Sequence, residues 1–162
     1  MALLKKKIIN LTVKVWPIGN SPIAPGTVCS ILVSLIGYLI NINFGSDFTL
    51  LVALISGFIG YYFTNIYINI VNKKDPSEVV IDEFSGQMIA TSAAGISPVF
   101  NIIALILFRF FDILKPGIIR KAENIDGALG IMMDDWLAGI FSAVILLIFY
   151  ILGYIDYNWV LI

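Results

Sequence analysis

Five acidic residues in three separate segments are the first candidates for chemistry in this chain. Asp82 and Glu83 are adjacent, Asp134 and Asp135 are adjacent, and Asp112 lies between the two pairs. Carboxylate oxygens are hard ligands that suit Mg²⁺ or Mn²⁺. The chain has no histidine and only one cysteine, so a zinc site is not expected. The pattern predicts a site for a hard divalent cation.

Basic residues accompany the central acidic residue at helical spacing. Arg109, Asp112 and Lys115 are three positions apart, so one face of a helix would present a cation, a carboxylate and a second cation. Arg120 follows after a Pro-Gly break. Fixed cations beside a metal suit a phosphate ester, because the charge that develops during phosphoryl transfer lies on the phosphate oxygens.

A simpler alternative is that these groups only neutralise one another. Asp82, Glu83 and Asp112 would then pair with three cations, namely Arg109, Lys115 and Arg120. Two adjacent acidic pairs, each at the end of a long apolar stretch, favour a metal site instead. A chain without histidine has no phosphohistidine intermediate, and no Walker A sequence is present. Metal-activated water or a carboxylate nucleophile remains.

Composition indicates a membrane protein of one domain, residues 1–162. Hydrophobic residues make up 59% of the chain and charged residues 13%, with a mean hydropathy of +0.96. A soluble domain carries about 25% charged residues, so lipid must cover much of this surface. The net charge of −1 gives no general attraction to nucleic acid.

Three uncharged stretches predict membrane-spanning helices, because a span needs roughly 20 apolar residues. We place them at about 27–44, 48–71 and 134–154, with Thr27 as the N-cap of the first. The Pro- and Gly-rich loop before Thr27 is either a connector or a set of free amides that receive a phosphate oxygen. Small residues in the last helix predict close helix packing along one stripe; they are Gly139, Ser142 and Ala143, in line with Asp135.

The N-terminal segment is too short to span a membrane. Lys5, Lys6 and Lys7 precede residues 8–15, and no Ala-x-Ala cleavage site follows. We interpret it as an amphipathic helix on the membrane surface or as a packed terminal helix.

The segment at about 83–109 has no charge between Glu83 and Arg109, and Gly95 and Pro98 interrupt it near its middle. It is either one kinked span or a re-entrant helical hairpin. The hairpin returns Lys115, Arg120 and Lys121 to the side of Lys73, as the positive-inside rule requires. The sequence therefore predicts an all-α, multipass membrane bundle with a re-entrant hairpin, in which all five carboxylates converge on the cytoplasmic face.

Four blocks of sequence resemble those of bacterial phosphatidylglycerophosphatase A and occur in the order found in that family. They are PIAPGT at 22–27, VIDEFSGQ at 80–87, FRFFDILKP at 108–116 and GIMMDDWLAG at 130–139. The chain differs from the family pattern at Cys29, Ile118 and Ala128, where glycine, proline and glycine are usual. None of these differences removes an ionisable group.

The resemblance implies a Mg²⁺-dependent, multipass enzyme of the bacterial cytoplasmic membrane. Its substrate would be a phospholipid in the bilayer, phosphatidylglycerophosphate, hydrolysed to phosphatidylglycerol and phosphate. The matched positions imply catalytic and metal-binding roles for five residues, namely Asp82, Glu83, Asp112, Asp134 and Asp135. They imply phosphate binding by Arg109, Lys115 and Arg120, to which we add Thr27 from the preceding loop.

On this hypothesis, Mg²⁺ polarises the phosphomonoester and Glu83 is the candidate base. Two other classes of function compete. A lipid phosphotransferase would carry Asp-Gly-x-x-Ala-Arg, which the sequence after Asp126-Gly127 lacks. A divalent-cation transporter would place its acidic residues near mid-membrane rather than at the boundaries. The number of metal ions, the nucleophile, the selectivity among lipid phosphates and the oligomeric state stay open.

Overall fold

The computed structural model describes residues 2–153, and every regular element in that range is helical. A short 3₁₀ turn over Ile18–Asn20 separates the first two α-helices. The seven α-helices, in chain order, are α1 Ala2–Val13, α2 Pro25–Phe44, α3 Ser46–Val71, α4 Ile81–Ser92, α5 Pro98–Leu114, α6 Ile118–Glu123 and α7 Ala128–Ile151. The fold is an all-α bundle, as the sequence predicts.

Three of these helices, α2, α3 and α7, are long and apolar enough to cross a membrane. They correspond to the three predicted spans. Their outward faces carry exposed large apolar side chains, such as Leu54 and Phe58 on α3 and Ile148 on α7. Polar side chains lie inside, among them the buried Asn41 and Thr64. This distribution suits a bundle whose surroundings are lipid.

The predicted start of α7 and the predicted N-cap of α2 are wrong, whereas α2 and α3 each begin within two residues of the predicted positions. Helix α2 begins at Pro25, with Ala24 as its N-cap residue, so the prediction of Thr27 as N-cap fails. Proline is favoured in the first turn because it has no N–H to lose there. Helix α7 begins at Ala128 rather than at 134, which puts Asp134 in its second turn. It ends at Ile151, and the predicted end at 154 lies outside the described residues.

Helices α4 and α5 form a hairpin with a turn over residues 93–97. The side chain of Ser97 accepts a hydrogen bond from the backbone N–H of Phe100 and caps α5, so the Ser-Pro sequence begins a helix as well as interrupting one. Glu83 near the start of α4 and Arg109 near the end of α5 both approach Gly26 of α2. The two ends of the hairpin therefore lie together, which agrees with the hairpin and not with a single kinked span.

Helix α4 is the centre of the bundle and packs against α2, α3, α5 and α7. Small residues permit this close packing. A Cβ atom added to Gly139 would lie 2.3 Å from the carbonyl oxygen of Gly86, and one added to Gly86 would lie 2.5 Å from that of Asp135. Gly139 of the predicted small-residue stripe of α7 therefore packs against the backbone of α4.

A buried amide fixes the tip of the hairpin. The Asn41 side chain, on α2, donates to the carbonyl oxygens of Thr91 and Gly95, both at 2.9 Å. Thr49 on α3 donates to the Asn41 amide oxygen at 2.6 Å. Carbonyls at the end of a buried helix need such partners, because no water reaches them.

We expect Asn41→Ala to lower the free energy of unfolding by about 2 kcal/mol. The substitution removes the amide that pairs with the Gly95 carbonyl and the Thr49 hydroxyl, and leaves the Thr91 carbonyl with only its bond from the Ala94 N–H. Thermal melting of the purified protein in mild detergent measures this loss. Asn43→Ala is the matched control, because Asn43 lies on the same helix and makes one exposed bond to the Leu39 carbonyl. Equal melting temperatures for the two variants would contradict the role of Asn41.

Candidate active site

A cavity of about 520 Å³ lies at one end of the bundle. Five segments line it: the start of α2, the connection between α3 and α4, the start of α4, the end of α5, and the region from Glu123 to Asp135. The cavity brings together eight of the nine residues that the sequence indicates as site residues. They are Thr27, Asp82, Glu83, Arg109, Asp112, Lys115, Asp134 and Asp135.

Three carboxylates form a tight cluster at this cavity. Asp82, Glu83 and Asp135 each offer an oxygen, and these oxygens lie within 4.8 Å of one another. Within residues 2–153 none of the three forms an ion pair with a lysine or an arginine. Their negative charges therefore face one another with little compensation.

Backbone contacts hold the cluster in place. Asp82 accepts a hydrogen bond from the Glu83 N–H at 3.0 Å, and its carbonyl accepts one from the Ser85 hydroxyl. Trp136, next to Asp135 on α7, donates its indole N–H to the Ser85 hydroxyl at 2.8 Å. The chain of bonds from Trp136 through Ser85 to Asp82 links α7 to α4 beside the carboxylates.

The two other carboxylates are paired with cations. Asp112 lies 2.5 Å from Arg109, and Asp134 lies 2.6 Å from Lys115. The simpler alternative of mutual neutralisation therefore describes Asp112 but not Asp82 or Glu83.

Arg109 is fixed by residues of α2 as well. Its guanidinium donates to the hydroxyls of Thr27 at 3.2 Å and Ser30 at 3.4 Å. Glu83 lies close by, because its Oε1 would be 2.1 Å from a Cβ atom on Gly26. Only glycine at that position leaves room for the carboxylate.

Arg120 does not line the cavity, unlike the other predicted basic residues. It is exposed, and its guanidinium donates to the Leu114 carbonyl at 3.3 Å. The short helix α6 buries Ile119 and Ala122. Arg120, which lies between them in the sequence, therefore faces outward. The structure thus gives no contact between Arg120 and the site.

The rim of the cavity contains residues that the sequence analysis did not select. Lys74 and Asp126 form an exposed ion pair of 2.8 Å between the α3–α4 connection and the segment before α7. Ser77 and Asn124 line the same opening. The only sequence signal for these positions is that they lie between helices at the site end of the bundle.

Burial changes the acidity of the site groups outside the three spanning helices. Burial and then the negative charge of Glu83 raise the pKa of Asp82 well above its ordinary value. Burial likewise raises the pKa of Glu83. Although burial lowers the pKa of Lys115, its hydrogen bonds to Asp134 and Glu123 outweigh that effect and raise it. Ionisation of Asp82 and Glu83 therefore costs free energy, whereas Lys115 remains a cation.

Unpartnered oxygens mark the same region. Among the described residues, Glu83 Oε2, Asp134 Oδ1 and Asp135 Oδ1 are buried and have no hydrogen-bond partner. Buried oxygens of this kind normally have a donor or a cation beside them. The groups that could bind a metal here are all carboxylates, and carboxylate oxygens suit a hard divalent cation.

Comparison with known proteins gives one family. The profile of "Phosphatidylglycerophosphatase A" matches residues 11–150. The chain is 39% identical over 137 residues to a Bacteroides thetaiotaomicron protein named "Putative phosphatidylinositol-3-phosphatase", covering 79% of this chain and 84% of that one.

Two further relatives are named phosphatidylglycerophosphatase A. The Haemophilus influenzae protein is 33% identical over 124 residues, which cover 75% of this chain and 76% of that one. The Escherichia coli protein is 35% identical over 130 residues, which cover 79% and 75% respectively. No solved structure gives a significant match to the chain.

We expect Lys115→Gln to lower the free energy of unfolding by about 2 kcal/mol, because it leaves the buried Asp134 carboxylate without its cation. Thermal melting in detergent measures the loss. Lys121→Gln removes the same charge from an exposed position of α6 and should leave the melting temperature close to that of the parent protein. If Lys121→Gln were equally destabilising, the ion pair would not be the cause.

Proposed function

Because the chain belongs to the phosphatidylglycerophosphatase A family, whose members are phosphoric monoester hydrolases, we propose that it hydrolyses phosphatidylglycerophosphate in a reaction that depends on Mg²⁺. The products are phosphatidylglycerol and inorganic phosphate. The observation that carries the proposal is the cluster of Asp82, Glu83 and Asp135 beside Arg109 and Lys115 in one cavity. A phosphomonoester needs both kinds of group, carboxylates for a metal and cations for its own oxygens.

Asp82, Glu83 and Asp135 would hold Mg²⁺, with Asp112 and Asp134 completing the acidic wall. Their fit to such an ion rests on the unpartnered buried oxygens of Glu83 and Asp135. A metal ion bound there supplies a Lewis acid for the phosphomonoester oxygens.

The protein's own cations would bind and orient the phosphate. Lys115 brings a charged ammonium into the cavity, and Asp134 and Glu123 keep it protonated. Arg109 is held by Asp112, Thr27 and Ser30, so its guanidinium is oriented before the substrate arrives. The first-turn N–H groups of Gly26 and Thr27 lie at the same wall, where the helix N-terminus favours an anion.

Glu83 is our candidate for the base that accepts a proton from the attacking water. One oxygen of its carboxylate would hold the metal and the other would accept the proton. Gly26 leaves its carboxylate free to lie beside Arg109. Arg120 has no part in this scheme, because it lies outside the cavity.

The location of the cavity supports a lipid substrate reached from the cytoplasm. Helix α2 begins, α3 ends, α4 begins, α5 ends and α7 begins at this end of the bundle. Seven of the ten lysines and arginines of the sequence, from Lys14 to Lys121, fall in segments at the same end. By the positive-inside rule, this distribution favours a cytoplasmic location for that end. The acyl chains would stay in the bilayer while the headgroup enters the cavity.

A phosphatidylinositol phosphate is the second candidate substrate. It is favoured by the name of the Bacteroides thetaiotaomicron relative and by a cavity of about 520 Å³ with polar residues at its rim.

We expect Asp82→Asn and Asp135→Asn each to reduce phosphate release from phosphatidylglycerophosphate by about a hundredfold or more, because each removes a proposed metal ligand. Purified protein in detergent micelles with Mg²⁺ provides the assay, and phosphatidylinositol 3-phosphate provides the competing substrate. Asp47→Asn, an exposed change in the first turn of α3, is the control and should retain full activity. Turnover within about threefold of the parent in the Asp82 and Asp135 variants would exclude the site assignment.

Metal binding can be measured without activity. We expect Mg²⁺ to raise the melting temperature of the parent protein and of Asp47→Asn, because a ligand that binds only the folded state stabilises it. Asp135→Asn should lose this rise, yet melt no lower than the metal-free parent, because it relieves repulsion among the clustered carboxylates. An equal Mg²⁺ effect in the parent and in Asp135→Asn would show that the ion binds elsewhere.

A further inference from the structure

Helix α1 has three distinct faces, and the proposed reaction uses none of them. Ile9 and Val13 are buried and pack in a cluster with Tyr67 of α3. A second face is apolar and contains Leu4, Ile8 and Leu11. These side chains are 64%, 46% and 40% exposed. The third face is basic. Since successive residues are about 100° apart around a helix, Leu3, Lys7, Asn10 and Lys14 share it.

This basic face forms one wall of a groove of about 400 Å³. Two more residues that follow α1, Trp16 and Asn20, complete the groove together with Lys6 and Leu11. Lys14 donates to the Asn20 side chain at 3.4 Å, so the far end of the groove is held by a polar contact. Three lysines and no acidic residue line it.

The groove is separate from the catalytic cavity, because no residue lines both. A direct bond nevertheless joins the two regions. The backbone N–H of Val80, two residues before Asp82, donates to the Val13 carbonyl at the end of α1 at 2.9 Å. The position of α1 and the position of the first catalytic carboxylate are therefore linked through one hydrogen bond.

The chemistry of the groove fits a ligand with an anionic head and an apolar body. Lys6, Lys7 and Lys14 supply positive charge, and Asn10 supplies a hydrogen-bonding amide. The exposed Leu4, Ile8 and Leu11 lie beside the groove and would contact acyl chains. Trp16 is 62% exposed, and tryptophan favours the level of lipid headgroups. Free phosphate would use the lysines but would gain nothing from the apolar side chains.

We propose that this groove binds the headgroup of one anionic phospholipid, with its acyl chains against the Leu4, Ile8 and Leu11 face. The site anchors α1 in the membrane surface and holds the segment that leads to Asp82. It is distinct from the substrate site and does not depend on the identity of the substrate.

The test is a binding titration of the purified full-length protein in neutral detergent. Short-chain phosphatidylserine is added, and the signal is the tryptophan fluorescence change of the parent protein minus that of Trp16→Phe. We expect a saturable change, and weaker binding by about tenfold or more in the double variant Lys7→Gln/Lys14→Gln. Asp82→Asn, which alters only the catalytic cavity, should bind with the affinity of the parent.

The matched control is Lys5→Gln/Lys73→Gln, which removes two exposed charges that do not line the groove. It should bind phosphatidylserine as the parent does. Equal weakening in both double variants would overturn the proposal in favour of general surface attraction. Equal binding of phosphatidylcholine, displacement by a similar concentration of inorganic phosphate, or absence of a Trp16 signal would overturn it as well.

Discussion

Mutual repulsion among buried carboxylates is the constraint on which the rest of this structure depends. Asp82, Glu83 and Asp135 come from two helices and lie together at the edge of an apolar bundle, where like charges repel strongly. The contact of Gly86 with the Asp135 carbonyl, and of Gly139 with the Gly86 carbonyl, holds those helices together at that level. Ordinary side chains at either glycine would separate the helices and with them the acidic groups.

The absence of water inside the bilayer explains why the bundle is polar inside and apolar outside. Helix α4 carries Ser85, Gln87 and Thr91 in its buried face, and such groups need partners in a medium without water. Gln87 donates to the Thr91 hydroxyl within α4, and Trp136 of α7 donates to Ser85. The long helices around α4 contribute partners such as Trp136 on one side and meet lipid on the other. A short polar helix can therefore occupy the centre of a hydrophobic protein.

Much of this architecture is readable from sequence because charge is scarce in the chain. Uncharged stretches locate α2, α3 and α7. The positive-inside rule predicts that the two ends of the hairpin lie on the same side of the membrane. The predicted start of α7 is wrong because the search for uncharged stretches treats Asp134 and Asp135 as a boundary. The structure shows that they lie within the helix, where helix contacts shield them. The charge of Arg120 predicts a phosphate-binding residue. Its exposure follows instead from the burial of Ile119 and Ala122 on the opposite side of α6.

Other features have no signature in one sequence. Asn41 is one of several asparagines in apolar surroundings, and only the three-dimensional packing shows that it meets the end of α4. Likewise, the rim pair of Lys74 and Asp126 joins positions 52 residues apart. Such contacts depend on the relative rotation of helices, and hydrophobic periodicity does not determine that rotation.

The Asn41 contact also bears on how the chain enters the bilayer during synthesis. Helix α4 begins with two acidic residues and is too polar to partition into lipid by itself. Helices α2 and α3 leave the ribosome before α4. They carry the Asn41 amide that receives the tip of the hairpin and the Thr49 hydroxyl that bonds this amide. The order of translation thus provides a docking place before the least lipid-soluble segment arrives, and α7, made later, packs against that segment.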